Sequence, residues 1–217
     1  MLMVSELHGF NAAEEAGAKV LTFQTSANNA TGLTTYTFSA QAIGTAAADR
    51  RVIVTVAGTG SNNTTITTVT VGGVTATEII DAANSQNNMG VFIALVTTDT
   101  TADIVITFSN AKARCAIGVW SCTGLSSDTA VDSDSSTAEP GVITLTTVAS
   151  GFAVSMAADG STGSLTHTWT NLTEQFDATV STRSYSGASD ATAGTSLEIT
   201  ADRSGAGTQT VMVAASW

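Results

Sequence analysis

The sequence predicts an all-β chain: a jelly-roll-like antiparallel β-sandwich over residues 31–217, preceded by a short N-terminal arm over residues 1–30. Three observations predict it. After residue 30, apolar residues recur with period two in short blocks. Between the blocks lie breaks rich in Gly, Asn, Asp and Ser, among them GTGSNN, DAANSQNN, TTDTTA, DGSTG, SGASDATAG and DRSGAGT. Such residues accept left-handed dihedrals and bond to their own backbone at turns. No segment after residue 30 sustains a 3.6-residue period, so strand follows strand without helices between them, which points away from βαβ units.

In chain order, the arm comes first. Met3, Leu7 and Phe10 have helical spacing, NAAEEAGAK suits a short helix, and KVLTFQ (19–24) is a β-run. The arm is too sparsely apolar to form a domain, so it is expected to dock on its own sheet or on a neighbouring subunit. Strands are then expected at TTYTF (34–38), RVIVTV (51–56), the two arms of ITTVTVGGVTATEII (66–80), GVFIALV (90–96), DIVITF (103–108) and RCAIGVW (114–120). The second half adds GVITLTT (141–147), GFAVSMA (151–157), LTHTW (165–169), FDATVST (176–182), TSLEIT (195–200) and QTVMVAASW (209–217). About a dozen strands overfill one open sheet, so two packed sheets are expected. The single proline, Pro140, precedes a strand, where its missing N–H does little harm.

The stretch 66–80 shows the surface chemistry. Folded about Gly72-Gly73 as a two-residue hairpin, it sets Val71 against Val74 and Val69 against Ala76 on one face. Thr70 then meets Thr75, and Thr68 meets Thr77, in an uncharged ladder of hydroxyls.

Composition excludes several classes. Hydrophobic residues make up 43% and charged residues 12%, about half the usual charged share; Thr supplies nearly one residue in five. The net charge of −11, with Lys19 and Lys112 as the only lysines, disfavours nucleic acid, which is bound through clustered Lys and Arg. No run of 18 apolar residues exists, so no helix is expected to insert in a membrane. MLMVSELHGF lacks the basic flank and apolar core of a secretory signal. Cys115 and Cys122 lie seven apart, which sets them on opposite faces of one strand and predicts free thiols.

Candidates for chemistry are few. His167 alternates with Thr166 and Thr168 and shares a face with Leu165 and Trp169, as a core sheet histidine does; His8 lies in the arm. No nucleophile elbow, zincin motif or P-loop occurs. Glu78, Asp81, Glu139, Glu174 and Asp177 are the right residue types for a glycosidase pair, but nothing in the sequence brings two of them together. Asp132, Asp134 and Glu139 in AVDSDSSTAEP (130–140) superficially resemble a calcium loop, without its central Gly and terminal bidentate Glu; a solvated acidic loop is expected. Trp120, Trp169 and Trp217 fit core packing better than a sugar platform. The chain is therefore expected not to be an enzyme, with no catalytic, cofactor or metal residue assigned.

One resemblance adds a class. AADRRVIVTVAG, ITTVTVGGVTAT, TADIVITFSNAKARCAIGVWSCTGL and the closing VAASW resemble a recurrent pattern in virion proteins of tailed bacteriophages. The likeness covers roughly residues 48–125 well and the remainder loosely, and it departs at WSCTGL, where a thiol replaces an aliphatic. The resemblance implies a structural component of a phage virion: a capsid decoration, head-fibre or tail-associated protein, assembled in the host cytoplasm, with no cofactor. Its implied partners are the major capsid protein or other virion subunits, reached through Leu2, Met3, Val4, Leu7 and Phe10 of the arm. Threefold homo-oligomers are common among such proteins, so a trimer is expected. The alternative reading is a carbohydrate- or receptor-binding module of a fibre or tail. It would hold a host surface glycan through segments 81–89, 126–139 and 183–194. A polysaccharide-acting enzyme is the third.

Overall fold

The computed structural model describes residues 18–60, 64–160, 165–205 and 210–217. Every strand pairing in it is antiparallel. The first half contains β1 (Val20–Asn29), β2 (Leu33–Ala42), β3 (Arg51–Thr59), β4 (Ile66–Val71) and β5 (Val74–Thr75). It continues with β6 (Thr77–Asn84), β7 (Asn87–Leu95), β8 (Thr101–Lys112) and β9 (Arg114–Thr123). The second half contains β10 (Asp132–Ser136), β11 (Gly141–Thr146), β12 (Gly151–Asp159), β13 (His167–Thr170) and β14 (Thr173–Val180). It closes with β15 (Arg183–Thr192), β16 (Ser196–Arg203) and β17 (Val211–Ser216).

These strands form four sheets rather than the two expected from strand count. The first half makes sheet A, ordered β1-β9-β3-β7-β6, and sheet B, ordered β2-β8-β4-β5. The second half repeats the plan in sheet C, ordered β10-β17-β12-β15-β14, and sheet D, ordered β11-β16-β13. In both halves the chain passes back and forth between an inner and an outer sheet, and the orders β1-β9-β3-β7 with β2-β8-β4-β5 and β10-β17-β12-β15 with β11-β16-β13 follow jelly-roll wrapping. Three apolar cores fix the layer order B–A–C–D. One cluster, with Val52, Val54, Ile104 and Phe108, lies between B and A. Another, with Ile53, Trp120, Phe152 and Trp217, lies between A and C. The third, with Ile143, Leu145, Ile199 and Met212, lies between C and D.

The layer order explains two kinds of strand sequence. Inner strands are covered on both faces, so β3 (RVIVTVAGT) and β12 (GFAVSMAAD) are buried at every position. Outer strands are wet on one face and alternate, as in β11, where Ile143 and Leu145 point inward and Val142 and Thr144 outward. The 66–80 stretch turns as its sequence predicts: Thr70 pairs Thr75, Val71 pairs Val74, and both Gly72 and Gly73 have positive φ. Past Ala76 the chain leaves sheet B, and β6 joins the edge of sheet A.

β1 extends the expected run KVLTFQ to Asn29 and pairs with β9 throughout. Residues 20–29 therefore belong to the sandwich rather than to an arm ending at residue 30. The arm residues Leu2, Met3, Val4, Leu7 and Phe10 lie outside the described residues.

Buried arginines tie the connections. Arg50 is fully buried and donates to the carbonyls of Val96, Gly44, Asp99 and Thr98, at 2.5–2.8 Å. Arg51 pairs with Asp128 at 2.6 Å and donates to Leu125 O at 2.6 Å, fastening the linker between the halves to β3. The two thiols sit as the spacing predicts, Cys115 facing the A–B core and Cys122 the A–C core, both free and buried. Burial pushes Cys122 up to about 12 and Cys115 further still. Neither is then a thiolate at neutral pH. A thiol-reactive dye should leave both untouched in the native chain and label both in denaturant, as read by absorbance.

Candidate functional site

The densest group of ionisable side chains lies at one end of the second half. Asp159 ends β12, His167 starts β13, Asp177 sits in β14, Arg203 ends β16, and Glu139 lies between β10 and β11. His167 Nε2 is 2.8 Å from Asp159 Oδ2, with both side chains essentially inaccessible to solvent. Its Nδ1 faces Asp177 Oδ1 at 3.6 Å, a charge contact too long for a hydrogen bond. Arg203 Nη1 is 2.7 Å from Asp159 Oδ1 and 3.2 Å from Glu139 Oε2. Thr210 Oγ1 lies 2.7 Å from the same Asp159 oxygen and 3.1 Å from Glu139. One carboxylate thus knits three neighbouring elements.

Electrostatics define what this cluster does. Burial by itself would push Asp159 up, but hydrogen bonds from His167, Thr210 and Arg203 outweigh it and hold the carboxyl below its usual range. Burial likewise works to lower His167, yet its contacts with Asp159 and Asp177 lift it to about 9. The shift favours the imidazolium at neutral pH, which works against a role as general base. Among the described residues no hydroxyl or thiol hydrogen-bonds to it. The arrangement locks strand ends together through charge-assisted bonds.

A second set of polar contacts crosses the A–C boundary. Thr59 Oγ1 is 2.6 Å from Tyr185 Oη, Arg183 Nη2 donates to Gln86 Oε1 at 3.0 Å, and Asn84 Nδ2 donates to Thr210 O at 3.3 Å. Trp120 Nε1 reaches Ser189 Oγ across the same boundary at 3.0 Å. The two jelly rolls are thus joined by hydrogen bonds at their ends as well as by the shared apolar core.

The carboxylates singled out by type fall into this framework. β6 begins TEIIDA and β14 begins TEQFDA, both edge strands, both with a register shift after the glutamate. Asp177 accepts the backbone N–H of His167, which starts β13, at 3.2 Å; Asp81 lies near the backbone of Ile66, which starts β4 and favours its charged form. Glu78/Asp81 and Glu174/Asp177 thus occupy equivalent positions in the two halves, and Asp177 holds the start of β13. Burial and then the nearby Glu78 raise Asp81 to about 6; burial and then Asp177 raise Glu174. Glu139 joins the His167 cluster.

The 130–140 segment is solvated as expected, with no residue buried, but its centre is a strand rather than a loop. Asp132 and Asp134 belong to β10, which pairs with β17 along its length. Asp132 accepts the N–H groups of Ser133 and Thr146, at 2.8 and 2.7 Å, and Asp134 accepts that of Ser135 at 2.7 Å. Among the described residues no three His, Cys, Asp or Glu side chains gather in a group that could hold a metal ion. Trp120 and Trp217 are buried in the A–C core, and Trp169 packs on the C–D core with its indole on Ser186 Oγ at 2.7 Å. Segments 81–89 and 183–194 are mostly strand, β6–β7 and β15, whereas 126–139 is largely exposed around β10.

Two recesses flank the A–C boundary. One of about 640 Å³ runs beside β1 and is lined by Leu21, Phe23, Phe152, Thr173 and Gln175. The other, of about 460 Å³, lies between Thr77–Ile79 and Asp128–Ser133. Neither contains the His167 cluster. Among the described residues no helix is long and apolar enough to cross a membrane.

The fold and this cluster define a tandem jelly-roll protein with two halves fused back to back. Comparison with protein-family models, with curated proteins and with solved structures gives no match.

Proposed function

We propose that the chain is a structural component of a tailed-phage particle, a capsid decoration protein assembled with the shell in the host cytoplasm. It attaches to the major capsid protein or another virion subunit through the N-terminal segment carrying Leu2, Met3, Val4, Leu7 and Phe10. The observation that carries this reading is where the scarce charges are placed. At the centre of the richest ionisable cluster, the carboxylate of Asp159 is buried and already paired with His167 and Arg203, and the cluster lies outside both recesses. Its chemistry holds strands together and presents nothing to a substrate. Two sheets buried on both faces give a stiff body, and the threonine-rich outer faces keep strand propensity without a sticky apolar surface.

The first described strand, β1, starts at Val20, so deleting residues 1–17 leaves every described strand intact. Deleting residues 1–17 is expected to lower occupancy on particles by about tenfold or more, the equivalent of ~1.4 kcal/mol of attachment energy, with circular dichroism and melting unchanged. Full loading of the folded, truncated chain would refute attachment through the arm.

A further inference from the structure

We propose that β1 is a docking edge for a second copy of this chain. The partner's own β1 adds to it antiparallel across a two-fold axis, and sheet A continues through both molecules. The two central sheets end in four edge strands. Three of them carry two carboxylates each: Glu78 and Asp81 on β6, Asp132 and Asp134 on β10, Glu174 and Asp177 on β14. Charges of this kind are how natural sheets stop unwanted strand addition. β1, reading VLTFQTSANN, carries none.

β1 is also long. Ten residues at about 3.3 Å each give an edge roughly 33 Å in length. Its one irregularity is a register shift at Gln24, whose side chain turns back to bond Ser121 Oγ at 2.8 Å. Val20 is 54% exposed at the start of the edge. Beside the strand runs the 640 Å³ recess, with Leu21, Phe23 and Phe152 supplying apolar lining. An added strand would cover that lining as well as pair the backbone.

Charge disfavours the other edges of the central sheets. The chain carries a net charge of −11, so a copy docking through its β6, β10 or β14 would bring two carboxylates to the contact. Two β1 edges meet with no charge in either strand, and a two-fold contact uses the same patch on both copies. Such a pair is twofold, unlike the trimer expected from resemblance. The inference concerns the purified chain and stands apart from the virion reading. The competing occupant is the chain's own segment 1–17, which leads directly into β1.

The test is light-scattering mass measurement of the full chain at micromolar concentration, with and without Val20→Lys and Ser26→Lys, two exposed positions on β1. The full chain is expected at twice its 21.9 kDa mass. The double variant is expected as a folded monomer, its dimer dissociation constant raised about tenfold or more. Thr144→Lys, on exposed β11, should leave the dimer intact. A monomeric full chain, or a double variant that still dimerises, would overturn the proposal. Deleting residues 1–17 should preserve the dimer. Loss of the dimer would assign the contact to the segment instead, and a dimer that forms only after deletion would show the segment covering its own edge.

Discussion

Asp159→Ala is expected to destabilise the fold by about 3–5 kcal/mol at neutral pH, the usual cost of removing one partner of a buried ion pair. In a chain of this size that is a fall in melting temperature on the order of 10 °C. The cost arises because His167 and Arg203 both lose their shared carboxylate while remaining buried, and Thr210 loses its acceptor. The pH dependence separates this account from simple loss of packing. The folded pKa of His167, about 9, lies above its ordinary 6.5. Its contribution is therefore complete below about 6.5 and is lost as pH rises through 9. Asp159 is depressed, so its contribution is present above the ordinary carboxylate pKa and disappears as pH falls through its folded value. Urea unfolding of the native chain should show stability falling from pH 6 to pH 9.5, and the Asp159→Ala chain should show much less of that fall. Equal slopes in the two proteins would mean that the cluster is not the source.

Trp120→Ala is expected to cost about 3–5 kcal/mol by opening a cavity in the A–C core. Trp120 is fully buried, packs edge-on against Phe23 at 5.3 Å and near Phe176 at 6.4 Å, and donates its indole N–H to Ser189 on the opposite sheet. The residue thus joins the two jelly rolls, and its loss should weaken their coupling as well as the core. Native-state hydrogen exchange should show faster opening of amides in β9, β14 and β15. Unchanged protection there would place the coupling elsewhere.

Much of the fold was legible in the sequence because outer strands alternate and turns carry Gly, Asn and Asp. The Gly72-Gly73 hairpin, the strand positions in the first half and the opposed thiols all follow from local rules. The four-layer stack was harder to see. Continuous apolar runs such as RVIVTVAG and GFAVSMAA mark burial on both faces, and a period-two reading does not register that. β15 looked like a loop because SYSGASDAT is small and polar. In the structure small size is what the site requires: a side chain at Gly187 would strike the ring of Phe176, and Ser186 and Ser189 accept the indoles of Trp169 and Trp120. β10 looked like an acidic loop because its pairing strand, β17, lies some eighty residues away.

The His167 cluster was invisible to spacing for the same reason. Its members come from five places in the chain, and each looks ordinary alone. One signal could have led to part of it: the repeated TEIIDA and TEQFDA, which mark the duplicated halves and point to Asp177 through Asp81. Asp159 and Arg203 carry no such mark. They are strand-end residues whose role appears only when β12 and β16 are brought to the same end of adjacent layers.

The proposal of a structural virion component is tested most directly by quantitative mass spectrometry of tailed-phage particles purified from lysates that contain this chain. The account predicts the intact chain in a fixed, multi-copy ratio to the shell subunit, retained through washing at high salt. Its absence from particles, with the protein abundant only in the surrounding lysate, would contradict it.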